Sequence, residues 1–150
     1  MEKFVGKVNG KHGMFYFCHY DQFLGLSIRE YGEYSEIEFS IMKKFIGNGD
    51  VVFDIGANIG AFTIPFAKKV GDDGKVYSFE PQSFIYDLLC RNIKENNLKN
   101  IRNFNNGLGE SRQKIKLDKI DYTSVGNFGG VGLKDDYDNT ATAKILKYEK

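Results

Sequence analysis

Ten residues near the middle of the chain, Val51-Val52-Phe53-Asp54-Ile55-Gly56-Ala57-Asn58-Ile59-Gly60, constrain its fold more than any other stretch. A β-branched and aromatic run of this length reads as a strand covered on both faces, and the two glycines mark a sharp turn or a close approach to a ligand. After Gly60 the apolar period lengthens to four, through Phe62, Phe66 and Val70, which predicts a helix with a kink at Pro65. The unit is strand, turn, helix.

The segments that follow repeat the alternation. Lys75 to Phe79 reads as a second strand closed by Glu80-Pro81; Phe84, Ile85, Leu88, Leu89 and Ile93 form an amphipathic helix with Pro81 in its first turn; Ile101 to Phe104 is a third strand. A β, α, β, α, β order predicts a parallel sheet with helical crossovers and a ligand at the carboxyl ends of its strands. Upstream, Ser35-Glu36-Ile37-Glu38 has the form of a capping box, with Ile37, Ile41 and Phe45 as the apolar stripe of its helix. Residues 1 to 28 read as short strands around an Asn9-Gly10 hairpin turn, a small N-terminal β cap over residues 1–30, with one continuous domain over 31–150. Downstream, Lys114 to Ile120 alternates like a half-exposed strand, residues 126–130 form a loop, and 141–148 could close with a last strand.

Composition excludes some classes. With 150 residues, 41% hydrophobic, the chain can build a core. Its 21 cations balance 20 acids, which argues against a nucleic-acid partner and an anionic membrane. No apolar stretch is long enough for a secretory signal or a membrane span, so a cytoplasmic protein is expected. Cys18 and Cys90 lack metal or disulfide spacing, and no carboxylate or Cys stands at ligand spacing in the sequence from His12 or His19, so no metal site is expected.

The turn itself departs from the dinucleotide pattern G-x-G-x-x-G, because Asn58 replaces the second glycine, and NAD is disfavoured. The pattern D-x-G-x-N-x-G resembles the S-adenosylmethionine turn of class I methyltransferases. An acid at the strand end suits a cofactor that carries a sulfonium and an ammonium group and no phosphate. Glu80, at the end of the next strand, stands where an acid accepts both ribose hydroxyls. The plain alternative is a nonbinding turn with Glu80 capping a helix.

Four separated stretches resemble the FkbM-type methyltransferases: Gly32 to Glu38; Asp50 to Gly60; Phe79-Glu80-Pro81-Gln82; and Asp121-Tyr122 followed by Gly126 to Val131. The resemblance implies an α/β, Rossmann-like doubly wound, mostly parallel sheet of the class I methyltransferase type. It implies S-adenosylmethionine as donor and O-methylation of a hydroxyl on a sugar or other small metabolite. Carried onto this sequence, the cofactor would be held by Glu36, Asp54, Gly56, Ala57, Asn58, Gly60, Glu80, Pro81, Gln82, Asn106 and Gly107, and the substrate by Tyr34 and Asn127. Glu36 reads equally well as a first-turn acid, and Asn127 as a loop residue. No general base is assigned; Asp121 and Tyr122 are the candidates weighed. After Leu133 nothing resembles the family's Ile-Asp-x-Glu-Gly strand, so the sheet is expected to be incomplete and its open edge to call for a homo-oligomer or a partner chain. A noncatalytic binding fragment and a nicotinamide dehydrogenase are the rival functions.

Overall fold

The computed structural model describes residues 3–111, 113–118, 120–131 and 140–147. It opens with a hairpin, β1 (Val5–Gly10) and β2 (Gly13–Cys18), antiparallel in the register Val5 to Cys18 and Gly10 to Gly13. Asn9 and Gly10 therefore end a strand, and the turn falls on Lys11-His12, followed by Gly13 at φ 135°. The β cap is not all β: α1 (Leu24–Tyr31) follows, capped by Gly32 at φ 70°. Its start is set by Asp21, a buried carboxylate that accepts from Phe23 N and Gly25 N at 3.0 Å each.

Next comes α2 (Glu36–Met42), but its capping box does not form. Ser35 is left-handed at φ 51° and makes no side-chain cap bond. An N-cap hydroxyl reaches the N3 amide from the β region, so this backbone turns it away. The face that packs is also not the predicted one. Ile37, Ile41 and Phe45 are more than half exposed, whereas Phe39 is buried against Phe66, Ala67, Val70 and Val76.

The central sheet runs parallel in the order β3-β4-β5, formed by β3 (Val51–Ile55), β4 (Lys75–Phe79) and β5 (Ile101–Phe104). The crossovers are α3 (Thr63–Val70) and α4 (Ser83–Glu95). Pro65 is the third residue of α3, where its amide would have little intrahelical bonding to lose, so the predicted kink has no cause. Pro81 lies one residue before the Gln82 N-cap of α4, outside the first turn. Among the described residues β3 is an edge strand with one open face: Val51, Phe53 and Ile55 are 59%, 53% and 62% exposed. The expectation of a strand covered on both faces is thus corrected. On the open face Phe53, Tyr77, Phe79 and Phe104 stack in a ladder.

The hairpin docks on α4 through two helix asparagines. Asn92 accepts from Tyr16 N at 2.5 Å and donates to Tyr16 O and Ile59 O, and Asn96 pairs in the same way with Met14. These amides serve the free edge of β2 as a neighbouring strand would. A second, mixed sheet in the order β6-β8-β7 contains β6 (Gly107–Gly109), β7 (Gln113–Asp118) and β8 (Thr140–Lys147). The predicted strands at 114–120 and 141–148 agree with β7 and β8 except at Ile120, which lies past the end of β7; residues 119 and 148 lie outside the described ones, as do 132 to 139. Among the described residues no helix is long and apolar enough to cross a membrane.

Candidate cofactor site

The turn after β3 is fixed by the strand beside it. Gly56 N and Ala57 N both donate to Phe79 O, at 2.9 and 3.0 Å, and Gly60 N donates to Ala57 O. Gly56 sits at φ 83° with nothing within 4 Å of where a Cβ would stand, leaving bare backbone open to a ligand. Gly60 at φ 92° has the opposite reason: a Cβ there would meet Leu89 Cδ1 at 2.8 Å. Between them Asn58 is left-handed at φ 48°, and its Oδ1 accepts from Ile59 N at 2.7 Å. Asparagine tolerates this conformation where most side chains do not.

Glu80 secures the turn from behind. Its carboxylate is buried and accepts from Asn58 N and Gln82 N, both at 2.9 Å. Burial pushes its pKa up from 4.5 to about 6, the two backbone donors pull it down, and the Asp54 charge pushes it up. Asp54 is buried as well, accepting from the hydroxyl of Thr63; burial raises its pKa, and the Thr63 bonds oppose the rise. Asp54 and Gly60 support the turn from below, and Asp54 does not line the cavity.

The cavity, about 300 Å³, is lined by Gly56, Ala57, Asn58, Ala61 and Phe62 on one side. Tyr34, Phe23 and Leu24 form a second side, and Asn127, Gly129 and Gly130 a third. Five of the sequence-predicted residues therefore meet here: Gly56, Ala57, Asn58, Tyr34 and Asn127. Glu80, Pro81 and Gln82 follow β4 beside the turn and are not part of this lining. Asn106 and Gly107 lie past β5, off the lining; there Asn105 Nδ2 donates to Glu80 O at 2.8 Å. Glu36 lies elsewhere, held by His12 Nε2 at 2.6 Å and Lys11 Nζ at 3.1 Å. Burial alone would raise its pKa, but these two partners outweigh burial and leave it lowered.

Sequence reasoning missed Phe23 and Leu24, because their segment reads as part of a β cap. It placed Gly129 and Gly130 in a loop without a role. Neither candidate base is suited to the task. The Tyr122 hydroxyl donates to Gln82 Oε1, and burial with the Glu80 charge pushes its pKa to about 12. Asp121 binds Thr123 Oγ1 and Thr123 N, which lowers its pKa and makes it a weak base.

The TRM5/TYW2 methyltransferase domain matches residues 29–128, from α1 through the turn and Glu80 to Phe128. The chain belongs to this family. It is thus a member of an S-adenosylmethionine-dependent methyltransferase family with the class I fold, as the turn and the sheet suggested. Methanocaldococcus jannaschii TYW2, solved in complex with AdoMet, is similar over 69% of this chain and 44% of that one, at 28% identity and a TM-score of 0.50. The complex of aTrm5 and tRNALeu has the same fold, at 19% identity and a TM-score of 0.51, over 68% of this chain and 28% of that one. A curated M. jannaschii protein, tRNA(Phe) (4-demethylwyosine(37)-C(7)) aminocarboxypropyltransferase, is 47% identical over 58 residues, 38% of this chain. The match spans 23% of that protein's length.

Two expectations change. The likeness to FkbM-type enzymes carries the cofactor class and not the family: the matching model is that of the TRM5/TYW2 methyltransferase domain. The exclusion of nucleic acid, with a small hydroxylated metabolite in its place, is overturned by the match to the TRM5/TYW2 family and by the tRNA-named M. jannaschii relative. A net charge of +1 is a sum over the chain and does not locate a binding surface.

Proposed function

We propose that this chain is the donor-binding part of an enzyme that transfers a carbon group from S-adenosylmethionine to a tRNA nucleoside. The observation that carries the reading is the joining of open Gly56 backbone to a buried Glu80 at the end of the adjacent strand, within the TRM5/TYW2 match. The residues fit the cofactor. Glu80 uses one lone pair of each oxygen on Asn58 N and Gln82 N, so the remaining pairs can accept the ribose hydroxyls. With ribose there and the base toward β5 near Asn106 and Gly107, the cavity on the β3 side takes the 5′ substituent, against Gly56 to Asn58. Tyr34 and Asn127 face the acceptor at the mouth. S-adenosylmethionine would supply an electrophilic carbon attached to sulfur, and the protein's part is alignment and exclusion of water.

The group moved is a methyl by the family's name, and the aminocarboxypropyl chain is the second reading, from the name of the M. jannaschii relative. The test is incubation of the protein with unmodified tRNA and donor labelled either in the methyl or in the carboxyl carbon. Label from the methyl supports the first reading and from the carboxyl the second. If calorimetry finds no S-adenosylmethionine binding, or Glu80→Ala binds as the wild type does, the site assignment is wrong.

A further inference from the structure

One wall of the cavity comes from residues that no strand or helix carries. Residues 121–131 reach the turn across the chain and are fastened at three places. Gln82 Nε2 donates to Phe128 O at 2.8 Å while Gln82 Oε1 accepts from Tyr122 OH at 3.0 Å. Gly126 N donates to Tyr20 O and Gln22 N to Gly126 O, both at 3.0 Å. The Phe128 ring is 2% exposed in the cluster that contains Ile59 and Ala61. At the cavity itself Gly129 lies so near Asn58 that a Cβ would stand 3.0 Å from its Nδ2.

Gln82 sits beside the ribose acid in sequence, and it invites assignment as a cofactor contact. Yet it is buried, and both ends of its amide are committed to residues 40 or more positions away. We infer that Gln82 is a positioning residue: with Tyr122 it latches residues 121–130 against the glycine turn, and the latched segment, through Gly129 and Gly130, holds the 5′ substituent of the cofactor. The inference rests on the cofactor reading above. Phe23 belongs to the same assembly, since its neighbour Gln22 is tied to Gly126.

The latch predicts a split between ligands. Adenosine carries the ribose and base that Glu80 and the β5 end would read, but lacks the 5′ substituent. Removing the latch with Gln82→Leu should weaken S-adenosylmethionine about tenfold, the worth of one or two neutral hydrogen bonds, and change adenosine by less than about twofold. Tyr122→Phe, which removes one of the two bonds and keeps the ring, should shift affinity the same way by less. Hydrogen exchange at residues 123–130 should quicken in both variants, with the rest of the sheet unchanged. Equal losses for both ligands would make Gln82 a nucleoside contact and overturn the inference, as would unchanged exchange in that segment. If the wild type binds neither ligand the cofactor reading falls, and the exchange measurement still decides whether the latch exists.

Discussion

The two glycine-bearing walls of the cavity are held by opposite means. The turn from Gly56 to Gly60 takes its bonds from the end of β4, its immediate neighbour in the sheet, and from Glu80 just beyond. The segment from Asp121 to Gly130 depends on Gln82, on Tyr20 and Gln22, and on one buried ring. The first wall is set mainly by the pairing of β3 with β4, with Asn92 of α4 closing on Ile59 O; the second draws on Gln82, Tyr20 and Gln22, all remote in sequence. A wall fixed by local pairing can be stiff at small entropic cost, while one closed by long-range contacts carries the cost of ordering its chain.

The largest expected effect lies in the remote wall. Phe128→Ala removes its only fully buried ring and should cost about 3–5 kcal/mol by urea unfolding, together with most of the cofactor affinity. A loss below about 1 kcal/mol would show that the segment is not anchored by that ring. In the local wall, Gly60→Ala forces a positive φ on a residue whose Cβ meets Leu89, and should cost about 1–3 kcal/mol. It should leave hydrogen exchange in the remote segment unchanged. If that segment loosens as well, the two walls are one cooperative unit and the contrast fails.

The smallest effect is a pH dependence from Glu80, which serves both walls through Asn58 N and Gln82 N. Its pKa is raised in the fold, from 4.5 to about 6, with burial the main cause. Its contribution to stability is therefore fully present below pH 4.5 and is lost as pH rises through 6, a change of about 2 kcal/mol at most. On the proposed site, where ribose hydroxyls would donate to the charged carboxylate, cofactor affinity should move the other way, rising across pH 6. Urea midpoints and calorimetric titrations between pH 5 and 7.5, compared with Glu80→Gln, would check both signs, and a wild type that matches the variant across that range would remove Glu80 as the titrating group.

Much of the fold was legible because it is written in short periods. The helix from Thr63 to Val70, the strand from Lys75 to Phe79 and α4 each bury a face that repeats every two or about four residues. The left-handed asparagine at position 58 and the buried acid at position 80 were legible as special positions for a related reason. Each answers a backbone or charge requirement set within the same β-α-β unit. Less legible was which apolar residues end up covered. Val51, Phe53 and Ile55 form a run that suits a strand buried on both faces, and Ile37, Ile41 and Phe45 form a clean helical stripe, yet both sets are exposed. Periodicity gives the direction of a side chain, and burial depends on what packs against it. Helix α1 escaped because its signals are weak beside the aromatic run before it, although Asp21 and Gly32 bracket it.

The sequence by itself determined a parallel β-α-β-α-β unit with a cofactor turn, because backbone conformation at Gly56, Asn58 and Gly60 and the strand-end acid are local properties. It did not determine the acceptor, since the glycine turn and the strand-end acid carry no feature specific to one. Only the tertiary structure decided that Asp54 supports the turn from within, that Glu36 belongs to Lys11 and His12, and that Gln82 spends its amide on a segment 40 residues downstream. Those assignments depend on which distant backbone groups arrive within hydrogen-bonding distance, and that is known only once the chain is packed.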